Sequence, residues 1–147
     1  MGEVVAIYIG PERQLPQPVE RVEAHAGKGL AGNRYYWADG AAPAGNSLTL
    51  IAEEELDAFH QESGIELGAQ ASRRNVLTRG IDLNALVGKR FRVGDVECEG
   101  VELCEPCSHL ASLTHREVLR GMVHRAGLNA DILSDGAIAV GDAVAET

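Results

Sequence analysis

Two cysteines three positions apart, in the run Cys104-Glu105-Pro106-Cys107, are the residues of this chain best placed to do chemistry. A thiolate is a nucleophile, a soft ligand for a transition metal and an acceptor of transferred sulfur, and neighbouring cations favour its formation. Cations are close by in sequence. From Arg73 to Arg92 lie Arg73, Arg74, Arg79, Lys89, Arg90 and Arg92 against one acid, Asp82, in a protein of formal net charge −9. An island of positive charge in an acidic protein suits a small anion such as a phosphate-bearing cofactor. Strand alternation would instead scatter the same side chains over a solvated face, and the sequence leaves both readings open.

The cysteine pair itself supports several chemistries. As a structural zinc site it supplies two ligands and needs two more; His109, His115 and His124 lie downstream, but no second Cys pair or His pair follows at finger spacing. As a dithiol redox pair, with Pro106 before the second cysteine, it is similar to the thioredoxin-type motif. That motif belongs at a helix start in a βαβ unit, which is not found around it. As a single working thiolate, Cys107 is the nucleophile or metal ligand and Cys104 a resolving or helper thiol. Two ordinary buried cysteines at a strand end remain the plain alternative. Cys98 alternates with Val96 and Gly100 and is expected in the core.

Arg73-Arg74-Asn75 offers guanidinium forks that match phosphate and an amide that can meet a heterocycle edge. Arg34 follows two glycines in Gly29-Leu30-Ala31-Gly32-Asn33-Arg34, where backbone and one cation can approach an anion together. A surface turn explains that stretch equally well, since P-loop and dinucleotide spacings are absent. No nucleophile elbow or paired-histidine zinc motif is present. The glutamates at 53–55 and within 97–102 fit a helix start and an exposed strand face, so paired-carboxylate catalysis is unsupported.

The elements that must position these residues are mostly short strands. Val4 to Ile9 is a β-branched run ended by Gly10-Pro11, and Val19 to Ala24 alternates as a second strand. Residues 25–47 form a long Gly- and Ala-rich connection holding the only Trp and two of the three Tyr; such a loop is usually functional or mobile. Leu48 to Ile51 reads as a strand leading into a helix from Glu53 to Glu62, its acids at the positive end of the dipole and Gly64 at the stop. Asn75 to Thr78 is a brief strand, and Gly88 to Leu103 a hairpin turning at Gly94-Asp95. Thr114 and Glu117 have capping-box spacing for a second short helix. Strands around Ala130–Leu133 and Ala137–Val144 close the chain, with Val140-Gly141-Asp142 echoing the turn at 93–95. The pattern is that of a mainly β barrel or sandwich with two short helices.

A chain of 147 residues is most simply one domain, 1–147, able to bury about two-thirds of its unfolded surface without a disulfide. No apolar run approaches the roughly 20 residues of a membrane span, the acidic start argues against an export signal, and the negative charge disfavours nucleic acid and anionic membrane as partners. Three cysteines, an odd number, fit a reducing compartment, read as the cytoplasm.

Taken in order, GLAGNRYY at 29–36, SLTLIAEEEL at 47–56, RRNVLTRGIDLNALVGKRFRVGD at 73–95, CEPCSHL at 104–110 and DGAIAVGD at 135–142 strongly resemble the MOSC domain, the C-terminal domain of molybdenum-cofactor sulfurase, as a stand-alone member spanning about 4 to 145. The resemblance implies a pyruvate-kinase β-barrel-like fold. It implies a cysteine at the position of Cys107 that carries sulfur as a persulfide or ligates molybdenum. Arg34, Arg74 and Asn75 match residues that hold the phosphate and ring of the molybdenum cofactor (molybdopterin) in relatives. The family includes molybdenum-dependent reductases of N-hydroxylated compounds and sulfurases fused to a pyridoxal-phosphate-binding module, for which this chain has no room, so a separate sulfur donor or redox partner protein is expected. Enzyme and carrier remain alternatives, as does a small structural or binding module with a zinc or redox cysteine pair. Many relatives read Gly-Asp-Arg where this chain has Gly32-Asn33-Arg34, which removes a charge at the pocket mouth.

Overall fold

The structure, a computed structural model, describes residues 1–11, 13–106 and 117–147. The chain runs through β1 (Gly2–Ile9), β2 (Gln17–Val19), β3 (Arg21–His25), β4 (Gly29–Leu30), β5 (Leu48–Ala52), α1 (Glu53–Ser63), α2 (Ala69–Ser72), β6 (Val76–Arg79), a 3-10 turn (Leu83–Leu86), β7 (Arg90–Val93), β8 (Val96–Leu103), α3 (Glu117–Gly121), β9 (Leu128–Ile132), β10 (Gly136–Ala139) and β11 (Ala143–Glu146). Seven strands pair in the order β11-β7-β8-β9-β5-β6-β1, and Gly2 opposite Val144 closes them into a barrel. Among the described residues, β5 and β6 are the one pair of neighbouring strands that run parallel. A second sheet, β10-β3-β4, stands beside the barrel.

The two-residue period of the strands sorts their side chains into two layers. In β5, Leu48, Leu50 and Ala52 point into the barrel with Val76, Phe91, Cys98, Leu128 and Ala130, while Ile51 points outward to meet Leu56 and Phe59 of α1 and Val118 and Met122 of the α3 region. The same parity turns Thr49 and Asn129 outward, beside the helical layer rather than into the core. Glu53, Glu54 and Glu55 open α1, and Gly64 ends it at φ 74°, its N–H donating to the His60 carbonyl. The left-handed stop needs glycine here because no other residue adopts it without cost. The hairpin of β7 and β8 is as the sequence reads it, and its Gly94 turn packs on the carboxylate of Asp142 in the echoing turn at 140–142.

Three readings need correction. Residues 19–24 are not one strand: β2 pairs with β1 in the barrel, whereas β3 pairs with β10 in the other sheet, so the chain changes sheets at Glu20, whose carbonyl accepts from the Val140 N–H. The helical content includes α2 and the 3-10 turn besides the two helices expected, because Asp82 caps the 3-10 turn by accepting from the Asn84 N–H at 3.1 Å. The strand after Asn75 begins one residue later, at Val76. Thr114, with its capping role, lies outside the described residues.

Candidate functional site

Four of the six cations between 73 and 92 are spent on the solvated face. Arg79 pairs with Glu3 and Glu53, Lys89 with Glu146, Arg90 with Glu99 and Arg92 with Glu97. Such exposed pairs contribute little, but they remove these residues from the search for an anion site. The remaining two, Arg73 and Arg74, meet Arg34 at a pocket of about 150 Å³ on the outer side of the barrel wall.

The neighbours of that pocket are delivered by several elements. Thr49 and Asn129 come from the outward positions of β5 and β9, which face each other in register. Arg73, Arg74 and Asn75 form the turn from α2 into β6, and Cys104 follows the end of β8. Arg34 and Tyr35 come from the 31–47 connection, which is pinned at several points. The Arg34 N–H donates to the Gly10 carbonyl at 2.8 Å, Lys28 Nζ donates to the carbonyls of Trp37, Ala38 and Gly40, and the Gly45 N–H donates to Asp131 Oδ1 at 2.7 Å. Asn33 Oδ1 accepts from the Gly10 N–H, so at this position the amide does a carboxylate's hydrogen-bonding work without its charge.

The three arginines differ in their duties. The Arg34 guanidinium lies over the Tyr35 ring, 4.8 Å from its centroid, a cation–π contact that leaves its N–H fork for other partners. Arg73 donates from Nη2 to the Gln14 carbonyl at 2.8 Å. Desolvation first, and then the charge of Arg34, pull its pKa below the ordinary arginine value against an opposing contribution from Tyr35. It remains a cation. Arg74 works as a bracket: Nε donates to the Ala126 carbonyl at 2.8 Å, Nη1 to the Ser72 carbonyl at 3.3 Å, and Nη2 reaches the carbonyls of Cys104 and Glu105 at 3.4 and 3.5 Å. Among the described residues no carboxylate lies within ion-pairing distance of Arg34, Arg73 or Arg74. Like charges brought together without a counter-charge are stabilised by an anion.

Asn75 lines the same pocket, but its buried amide joins three strands: Oδ1 accepts from the Thr49 N–H and hydroxyl, and Nδ2 donates to the Tyr8 carbonyl. Sequence reasoning placed Arg34, Arg74, Asn75 and Cys104 in one site, and the structure gathers those four at one pocket. Cys107, His109 and His115 lie outside the described residues. His124 is bonded to Glu105, and among the described residues no three His, Cys, Asp or Glu side chains gather as a metal-binding group. Sequence reasoning missed Tyr35, Thr49 and Asn129. Thr49 does leave a trace, as the one polar residue of an otherwise apolar strand, whereas Asn129 shares its strand with Asp131.

Cys98 is fully buried, and burial above all, with the charges of Glu97 and Asp131, pushes its thiol up to about 12. It should therefore stay unmodified by iodoacetamide in the folded protein near neutral pH and react only on unfolding, as peptide mass spectrometry would show. Labelling of Cys98 in the native state at a rate like that of a model thiol would contradict this. A larger cavity, about 320 Å³, lies where β5 and β6 end, but its acids are engaged. Glu54 accepts from the Gly80 N–H, Asp82 from the Asn84 N–H, and Glu55 pairs with Arg125.

The closed mixed barrel is the architecture of a known class, and the chain belongs to the MOSC domain family, whose model matches residues 12–145. In fold it is similar to the YuaD protein of Bacillus subtilis, with a TM-score of 0.83 at 16% identity over 98% of this chain and 94% of that one. YiiM of Geobacillus stearothermophilus gives 0.78 at 16% identity over 100% and 75%, and YiiM of Escherichia coli 0.69 at 14% over 99% and 69%. No curated protein is significantly similar to the chain in sequence.

Proposed function

We propose that this MOSC domain binds the molybdenum cofactor or a related phosphate-bearing anion, with Cys107 as molybdenum ligand or persulfide carrier. One observation carries the reading: Arg34 and Arg73 share a partly desolvated pocket, with no carboxylate within ion-pairing distance of either among the described residues, beside the first cysteine of the pair. The pocket's volume suits a phosphate group. Arg34 and Arg73 would make the charge contacts, with the amides of Asn46 and Asn129, which line the same pocket, as neutral neighbours. Arg74 and Asn75, whose donors rest on protein carbonyls, would hold the wall in shape.

When bound, the cofactor would supply oxygen-atom or electron chemistry at its metal; the residues of this chain would anchor, orient and, through a thiolate, ligate it. A reducing cytoplasmic setting belongs to the proposal because the thiol must stay reduced, as does a separate sulfur donor or redox partner protein. Metal content per chain tests it, measured by inductively coupled plasma mass spectrometry on protein purified without oxygen from a host that makes the cofactor. Molybdenum near one per chain, lost in Cys107→Ser, is the expected result. Zinc near one per chain, with loss of folding stability in the same variant, would replace the reading with a structural zinc module.

A further inference from the structure

Gly45 and Asn46 line the anion pocket where the 31–47 connection returns to the barrel. The main-chain ladder does not reach them, because β5 begins its pairing with β9 at Leu48, opposite Ala130. Side chains continue it. The Ser47 hydroxyl accepts from the Ile132 N–H at 3.0 Å and donates to the Ala130 carbonyl at 3.4 Å. Asp131 Oδ1 then accepts from the Gly45 N–H at 2.7 Å. Gly45 turns the chain at φ 79°, so close to the wall that an added Cβ would touch Val101 and Asn129.

Asp131 stands two residues beyond Asn129 on the outward face of β9, about 7 Å further along the strand. Asn129 lines the pocket with Arg34, Arg73 and Arg74, and Asp131 does not. A carboxylate so placed would ordinarily pair with an arginine and cancel part of the field that draws an anion. Among the described residues no cation lies within ion-pairing distance of it. Its acceptor is committed to a backbone N–H instead, and a charge-assisted bond of that length sets direction as well as distance. The other end of the same connection has a matching bond, from the Ala26 N–H to Asp135 Oδ1 at 2.7 Å, but Ala26 does not line the pocket.

We propose that Asp131 is a positioning residue for this pocket: through the Gly45 N–H it sets where the Gly45–Asn46 wall stands, and so how the Asn46 amide meets an anion held by Arg34 and Arg73. This rests on the reading of the pocket as an anion site. Asp131→Asn and Asp131→Ala remove the same charge, and only asparagine keeps an acceptor for the Gly45 N–H, so their difference isolates the bond from the charge. In isothermal titration of the full chain with orthophosphate, loss of the charge alone should tighten binding by no more than about twofold. Asp131→Asn should therefore bind at or slightly above the parental affinity, and Asp131→Ala about fivefold more weakly than Asp131→Asn. Amide hydrogen exchange supplies a readout that needs no ligand: Gly45 should stay protected in Asp131→Asn and exchange about tenfold faster in Asp131→Ala. Asp135→Ala, which frees the other end of the connection, should move neither.

Equal phosphate affinity in folded Asp131→Asn and Asp131→Ala, or a loss as large in Asp135→Ala, would overturn the assignment. If Asp131→Ala does not fold, Asp131→Ser, polar but too short to reach Gly45, carries the same expectation. Should the parent bind no orthophosphate while Gly45 exchange responds as stated, the anion reading falls and Asp131 still holds the wall. Phosphate bound alike by the parent, Asp131→Asn and Asp131→Ala would do the opposite, removing Asp131 and keeping the anion site.

Discussion

Arg73→Gly should yield a protein as stable as the parent to within about 1 kcal/mol that binds orthophosphate about ten- to a hundredfold more weakly. The two halves of this expectation have separate causes. Arg73 caps α2 at φ 64°, in the left-handed region that costs a non-glycine residue about 1 kcal/mol and that glycine enters freely. Against that relief stand the lost bond to the Gln14 carbonyl, about 1 kcal/mol, and the greater freedom of glycine in the unfolded chain. The balance is near zero. Binding has no such compensation, because the guanidinium removed is one of the three charges at the pocket without a carboxylate partner among the described residues. Arg73→Ala should bind as weakly as the glycine variant but be about 1 kcal/mol less stable than it, since alanine keeps the backbone strain. Isothermal titration with orthophosphate and urea unfolding of the three proteins would check both halves. Equal phosphate affinity in parent and glycine variant would remove Arg73 from the site.

The sequence was most readable where the signal is local. The acid-rich start of α1 and its glycine stop lie within a dozen residues, and the β7–β8 hairpin announces itself through alternation around Gly94-Asp95. Cys98 could be assigned to the core from its neighbours Val96 and Gly100 alone, and it is fully buried. The sheet change at Glu20 was hidden because both partners, β1 and β10, impose the same alternation from opposite sides of one residue. The division of labour among the cations was hidden for a similar reason. Nothing near Arg79 tells that Glu3 and Glu53 lie beside it, so the sequence left open whether the positive island was one site or a scattered face, and only Arg73 and Arg74 turn towards Arg34.

Asn75 shows the limit at a single residue. Its type suits a heterocycle edge, and its place in the pocket agrees with that, yet its amide is engaged by Thr49, 26 positions away, and by Tyr8, 67 positions away. Those partners depend on β5 and β6 running parallel and on β1 lying across them, which is information carried by the closed barrel and by no local pattern. Arg74 is alike: a guanidinium that reads as an anion ligand in sequence is also the strut that joins the cysteine motif to the turn before β9.

Gly127 is where that turn, the barrel wall and the cysteine motif meet, and Gly127→Ala should be the most damaging small substitution in the protein. Its φ is 115°, and a Cβ there would run into the Leu50 carbonyl, a backbone atom that cannot swing aside. Leu50 pairs with Leu128 across β5 and β9, so relief requires the two central strands to part at a fully buried point of the core. Backbone strain and the broken ladder together should cost at least about 3 kcal/mol, a fall of roughly 10 °C in Tm for a chain of this size. Gly141→Ala provides the control. That glycine has a φ of 94° with nothing within 4 Å of the added methyl, so it bears the conformational cost alone, about 1 to 2 kcal/mol. Thermal unfolding of both variants separates collision from conformation: equal Tm losses would mean that the close approach of Gly127 to β5 carries no weight. Because the Gly127 carbonyl also accepts the Cys104 N–H, the alanine variant should in addition speed alkylation of Cys104 at temperatures where the barrel is still folded. The control should leave that rate alone, since the 140–142 turn has no bond to the motif among the described residues.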